Sequence, residues 1–294
     1  MSKKIIAGAA PLKKSQSNPG LSDSQQKPPV VKKTSGLSVF KNLSISDNKD
    51  TNNVSEGISN GNVQNKISTE DAIIKNKADE AFIQFLSLQD EPDRIEKIKF
   101  YLNDSIVSST MHKGHDINAI IITKIVEKYG TLSKEGSTVI NFIERLNSSS
   151  EQHIREFTMI LIQHLLLRLG RIMEPIVLSM FSLILSFHAD RSQIVRDCSS
   201  NIGNNLMQIM CPHSFRKLFP LLMGAIKAEE DWRVKVGSLT LLKAIAPRVS
   251  VQLTPLLPEL IPKASECILD SKKQVQVAGL DTLTEACGMI ANDG

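Results

Sequence analysis

The sequence predicts an all-α protein, a right-handed α-solenoid of two-helix repeats behind a polar N-terminal tail. Three observations carry that prediction. Beyond residue 68 apolar side chains recur at three- and four-residue steps, the signature of helices with one buried face. One helical pattern returns at intervals of 41, 39 and 41 residues. Prolines stand at or near the start of the shorter, alternate helices, where a missing N–H is no loss.

Residues 1–67 form the tail. Tracts such as "SDSQQKPP" and "SISDNKDTNNVSEGISNGNVQNK" hold too little apolar surface to offset chain entropy, and Phe40 is their only aromatic residue, so the segment is expected to be disordered and low in complexity. It is also basic, with ten Lys or Arg against four Asp or Glu. The remainder has 25 against 27, so the chain's net charge of +4 belongs to the tail and does not make the folded part a nucleic-acid binder. The start "MSKKIIAGAAPLKK" is cut by Pro11 and Lys13 before a signal-peptide core can form. The uncharged apolar stretch Pro175 to Ala189 is too short to span a bilayer. Cys198, Cys211, Cys267 and Cys287 form no CxxC pair and are expected to be reduced. A cytoplasmic protein is the expectation, with no membrane partner and no small-molecule substrate.

Within residues 68–114, "DEAFIQFLSLQDEPDRIEKIKFYLND" (79–104) reads as short helices capping the N-terminal end of a stack. HEAT-like repeats are expected over 115–294, as three pairs plus a final unpaired helix. The stretch 115–146 is a helical pair whose first member stops at Gly130. "HIREFTMILIQHLLLRLG" (153–170) stops at Gly170, which can take the left-handed conformation at a helix end without penalty. "EPIVLSMFSLILSF" follows as its partner, opened by Pro175. The pair then recurs: "HIREFTMILIQHLL", "QIVRDCSSNIGNNL", "WRVKVGSLTLLKAI" and "KQVQVAGLDTLTEA" align on Ile154, Val195, Val234 and Val275. Between them lie "PIVLSMFSLIL", "FPLLMGAI" and "LPELIPKASECIL". Two helices every forty residues is the pattern of HEAT or armadillo repeats.

The alternation in "KQVQV" resembles a strand edge, but its stripe continues at helical spacing through Ala278, Leu280, Leu283 and Ala286, and no neighbouring alternating stretch exists to pair with it. Asp190, Asp231 and Asp270 are expected N-caps. Pro258 and Pro262 cannot both be free of cost in one helix, so that helix starts near Ile261 or bends. The chain stops at "GMIANDG" after a first helix with no second to cover it, as expected of a fragment.

Residues 218–286 resemble the HEAT-repeat region shared by fungal translation elongation factor three and the large general-control activator that works on ribosomes. The resemblance is carried by Trp232 after a short acidic loop, "LLPELIPK" (256–263) and "ILDSKKQVQVAG" (268–279). It extends well over 150–294 and loosely over 110–149. It implies a translation-related protein that contacts ribosomes or a translational-control partner. In the elongation factor, ATP hydrolysis belongs to cassettes further along; this chain has no GxxxxGK loop, so the implied role is binding alone. An N-terminal piece of an ATP-dependent elongation-factor-like protein is the alternative.

No HExxH, GxSxG or carboxylate pair on a cleft-forming element is present, and "MHKGH" (111–115) and "CPH" (211–213) fall short of the four ligands zinc needs. No enzyme activity, cofactor or metal is expected. Candidate partner contacts are Arg155, Arg196 and Lys235, each one residue after the register aliphatic, together with Trp232 and Arg233, and Lys272 and Lys273 at the head of the last first helix. The three bases could form a ridge facing phosphate, but pairing with nearby acids to tie one repeat to the next is the expected arrangement. Trp232 as a partner anchor also admits a second reading, a tubulin-binding or general scaffold. Gln193 and Gln274, at the helix starts of the neighbouring repeats, are not aromatic and count against it.

Overall fold

A computed structural model describes residues 69–107, 112–227 and 229–292. The basic tail expected over 1–67 lies outside them. Among the described residues every regular element is helical. In chain order these are α1 (Thr69–Leu86), α2 (Glu91–Val107), α3 (His112–Tyr129), α4 (Lys134–Leu146), α5 (Gln152–Leu169), α6 (Glu174–Ser179), α7 (Phe181–Ser186), α8 (Gln193–Ile209), α9 (Phe215–Gly224), α10 (Trp232–Ile245), α11 (Ser250–Leu253), α12 (Leu257–Ile268) and α13 (Lys273–Asn292).

The helices form two layers. In the first, α1, α3, α5, α8, α10 and α13 pack successively side by side. In the second, α2, α4, the broken α6–α7 pair, α9 and α11–α12 pack back onto the first layer. The register aliphatics set this geometry: Ile154, Val195, Val234 and Val275 are 7%, 0%, 5% and 0% exposed, each at the same place in the first turn of its helix. The fold is therefore an α-solenoid whose unit is the helical pair read from the sequence, with four pairs (α3–α4, α5 with α6–α7, α8–α9, α10 with α11–α12) ahead of α13 where three were expected, and a further pair, α1–α2, before them among the described residues. Helix α5 has neighbours on every side, so its residues Glu156 to Leu166 are buried without interruption, as expected of a helix apolar all round.

Helix ends follow local chemistry. Gly130 and Gly170 take positive φ, 86° and 54°, immediately after α3 and α5, a conformation that costs a side chain-bearing residue about 1 kcal/mol or more. Asp231 caps α10 by accepting from the Arg233 N–H at 2.8 Å. Asp190 and Asp270 differ from the expectation. Ser192 caps α8, and each aspartate lies further upstream, accepting from the N–H two residues on, at Ser192 (2.8 Å) and Lys272 (2.9 Å). That position leaves each carboxylate turned toward the preceding repeat.

The second layer departs most from expectation. The segment 174–187 reads as one helix, yet Met180 (φ −108°, ψ 12°) separates α6 from α7 and buries its own side chain. Helix α9 begins at Phe215, which places Pro220 in its interior instead of at its head. Burial of Phe215, Leu218, Phe219 and Leu222, all 2% exposed or less, is worth about 2 kcal/mol each and outweighs the one backbone bond a proline removes. Helix α12 starts at Leu257, with Pro258 in its first turn and Pro262 inside.

Close approach between layers is set four residues after Val195, Val234 and Val275. Ser199 donates to the Ile184 carbonyl at 2.5 Å and Ser238 to the Leu222 carbonyl at 2.8 Å, both fully buried. The next equivalent is Gly279, where an added Cβ would stand 3.0 Å from the Ala264 oxygen.

Candidate partner-binding surface

The loops entering the first-layer helices are organised by the residue after each register aliphatic. The Arg155 Nη1 donates to the carbonyls of Ser149 and Ser150 at 3.0 and 2.8 Å, and Arg196 donates equivalently to Asp190 and Arg191 at 2.5 and 3.0 Å. Gln276 takes the same place, donating to the Asp270 carbonyl at 2.7 Å. One long donor thus closes its own entry loop in three of the four repeats. It also satisfies carbonyls that no helix would bond.

In two repeats the residue at this position reaches the next repeat. Arg155 pairs with Asp190 through Nε at 2.9 Å, and Lys235 pairs with Asp270 at 2.9 Å; in both, the partners are 35 residues apart. The Asp270 carboxyl is held below the usual carboxylate range by the Lys272 N–H and then by Lys235. Glu156 extends the joint between α5 and α8 by accepting from Ser192 at 2.5 Å. Arg155 and Lys235, candidates for partner contact, thus make the inter-repeat pairs with acids that the sequence leads one to expect. Lys235 is 7% exposed, and both cations are consumed between repeats.

The other candidates converge. Arg196, Trp232 and Arg233 line one open groove of 270 Å³ between α8 and α10, with Gln193, Asp197 and Val236. The Arg233 guanidinium lies 5.6 Å from the centre of the Trp232 ring, and its Nε is 3.5 Å from Asp231, an ion pair without hydrogen-bond geometry. Gln193 links the far wall, accepting from Arg196 and donating to Asp197 at 2.6 Å. The groove therefore presents a half-buried aromatic, two guanidinium groups and a carboxamide, the residue types that anchor protein partners. Lys272 and Lys273 are exposed at the entrance to α13 and do not line it.

The inner end of the groove rests on His188, which the sequence reading did not single out. Its Nδ1 lies 3.0 Å from the Leu185 carbonyl and 2.9 Å from Ser199 Oγ. The Ser199 hydroxyl donates to Ile184 and the carbonyl can only accept, so the proton belongs on Nδ1. Burial holds this imidazole below its ordinary pKa and hence neutral. Gly237 of α10 makes room for the ring. Among the described residues no cluster of His, Cys, Asp or Glu is arranged to hold a metal ion. The four cysteines are free, and no single described helix is long and apolar enough to cross a membrane.

Two-helix repeats of about forty residues, tied end to end by side chains one repeat apart, define a HEAT-type α-solenoid. Residues 117–283 match the family model described as EF3 N-terminal HEAT repeat, and the chain belongs to that family. It is similar to the human protein named "Stalled ribosome sensor GCN1", with 30% identity over 169 residues, 57% of this chain and 6% of that protein. It is also similar to "Elongation factor 3" of Gonapodya prolifera, with 25% identity over 173 residues, 58% of this chain and 16% of the other. The chain thus spans a small part of the length of either relative. Among solved structures a designed armadillo repeat protein is similar at TM-score 0.39 and 12% identity, covering 70% of this chain and 98% of its own.

Proposed function

We propose that this chain is a non-enzymatic binding module of the translation apparatus, acting in the cytoplasm and docking on ribosomes or on a translational-control protein through the α8–α10 groove. The observation that carries the reading is the convergence of Arg196, Trp232 and Arg233 on one open surface in a chain of this family. The names of the relatives, a stalled ribosome sensor and an elongation factor, support the choice of partner. The groove has a hot-spot composition, an aromatic flanked by arginine, and no catalytic constellation. The basic tail, net +6, adds sequence-independent attraction to an anionic particle, and that part of the affinity falls with salt.

The test is co-sedimentation of the full chain with purified ribosomes at near-physiological salt, comparing the natural sequence with Trp232→Ala combined with Arg233→Gln. Binding at least tenfold weaker in the double variant, with its helical circular dichroism retained, is expected. Equal binding by the two proteins would exclude the groove. Absence of binding by the natural chain would remove the ribosome as partner.

A further inference from the structure

A second groove lies in the other layer, between α2 and α4, with a volume of 370 Å³. Its floor is Leu102 and Phe142, 2% and 5% exposed. Its walls carry Lys99 and Asn103 on α2 and Asn141 and Arg145 on α4. Each helix thus contributes one cation and one carboxamide four residues apart, on one face. All four polar residues are exposed. Neither Lys99 nor Arg145 enters an ion pair among the described residues. That sets them apart from Arg94, Lys124 and Lys134, which bind Glu135, Asp79 and Glu91. Where the neighbouring cations are spent on holding repeats together, these two are left at the mouth of a groove.

We infer that this groove docks an extended acidic peptide segment of a partner protein, with two carboxylate side chains two residues apart and an apolar residue between them. The spacing follows from helix geometry. Arg94 of α2 meets Glu135 of α4 and Glu91 meets Lys134, so the two helices run side by side with an offset of 41 to 43 residues and Lys99 stands level with residues 140–142. Arg145 is three to five residues further on, up to about 7.5 Å along the axis at about 1.5 Å per residue. An extended chain rises about 3.3 Å per residue, so carboxylates at i and i+2 span nearly that distance on one side of the peptide. The side chain at i+1 then points the opposite way, onto Leu102 and Phe142. Asn103 and Asn141 each offer an N–H donor and a carbonyl acceptor, matching the alternating groups of a peptide backbone.

A nucleic-acid strand fits less well. Phosphate oxygens only accept, so a phosphodiester backbone lacks the alternating donors and acceptors that two carboxamides match in a peptide backbone. Across α2 and α4 six acidic residues face five basic ones, net −1. Exposed Glu96, Asp104 and Glu144 flank the two cations, so a polyanion running past the groove meets repulsion at once, while a short acidic segment ends before it.

The test uses the full chain and a fluorescein-labelled peptide, Gly-Ser-Glu-Leu-Glu-Ser-Gly, read by fluorescence anisotropy beside its Gln-Leu-Gln analogue and a single-stranded RNA hexamer. Saturable binding of the acidic peptide is expected, at least tenfold weaker for the Gln analogue. It should also be at least tenfold weaker for the protein carrying Lys99→Gln and Arg145→Gln, whose melting temperature should not change because both side chains are exposed. Asn103→Ala with Asn141→Ala should weaken it by a smaller factor. No saturation up to millimolar protein, or equal binding of the two peptides, would overturn the proposal. Binding unchanged by the Lys99 and Arg145 substitutions, or tighter binding of RNA lost in that same variant, would overturn it too. The ribosome experiment on the α8–α10 groove involves none of these residues, so either reading can fail alone.

Discussion

Arg155 and Asp190 join two successive repeats by paired hydrogen bonds of 2.9 and 3.3 Å, with side chains only 14% and 8% exposed. Lys235 and Asp270 reproduce the joint two repeats later at the same sequence separation. Repeat proteins are held by nearest-neighbour contacts, so these pairs act on the cohesion of the whole stack. Arg155→Ala leaves a largely buried carboxylate without its cation, and the loss should be about 2–4 kcal/mol, or roughly 5–10 °C in melting temperature for a domain of this size. Arg168→Ala, whose pair with Glu127 is nearly half exposed on both sides, should change stability by less than about 1 kcal/mol. Thermal unfolding followed by circular dichroism compares the two directly, and equal effects would contradict the assignment.

Changing Arg155 and Lys235 together to Ala should lower the melting temperature while leaving the salt dependence of ribosome association as it was. Lost carbonyl clamps and lost ion pairs act on the fold, whereas a phosphate-facing ridge would flatten the slope of log affinity against log salt. An unchanged melting temperature with a shallower slope would reverse the structural assignment of these residues.

Stability should depend on pH from both sides. Burial holds His164 down to about 4, so the unfolded chain binds a proton near pH 6.5 that the folded chain refuses. The stability this histidine permits is complete above that pH and declines as pH falls toward 4. Asp116 has the opposite sign. Burial, and secondarily repulsion from Asp71, push its carboxyl up to about 7. The unfolded carboxylate ionises first, and stability is lost as pH rises from about 4 through 7. Asp116→Asn should therefore raise the melting temperature at pH 8 and change it little at pH 4. Equal gains at the two pH values would show that the effect is not electrostatic.

Gly237→Ala should destabilise the α8–α10 joint, because the added methyl would fall 2.6 Å from His188 Nε2. Overpacking of this kind costs about 1–3 kcal/mol. Adding His188→Ala should recover part of that loss, since it removes the ring the methyl meets. A double variant no more stable than the sum of the two single changes predicts would dissociate the two residues.

Gln163 is 2% exposed within α5, and its Oε1 has no hydrogen-bond partner among the described residues. Gln163→Met keeps the side chain's length and removes a carbonyl that water no longer solvates, so a gain of about 1 kcal/mol is expected in denaturant unfolding. A loss of stability would imply that the amide is bonded in solution.

The sequence by itself determined the class of fold and the repeat, because both rest on periodicity. A three- and four-residue apolar stripe and a forty-residue recurrence are properties of a string, and Ile154, Val195, Val234 and Val275 are buried at equivalent places for that reason. Gly130 and Gly170 were legible as helix ends because positive φ is a local demand. Tertiary structure decided what local rules leave open. It split the second layer at Met180, and it drew Pro220 and Pro262 inside helices, where burial of several large side chains outweighs one lost backbone bond. It also divided the candidate contacts. Arg155, Arg196 and Lys235 share one register position and each has an aspartate 35 residues on, Asp190, Asp231 and Asp270, yet only Arg155 and Lys235 pair with theirs, while Asp231 caps α10 and Arg196 turns to its own loop and the groove beside Trp232. Which cation is consumed in holding the stack together and which remains for a partner depends on distances between repeats. Those distances exist only once the repeats are packed.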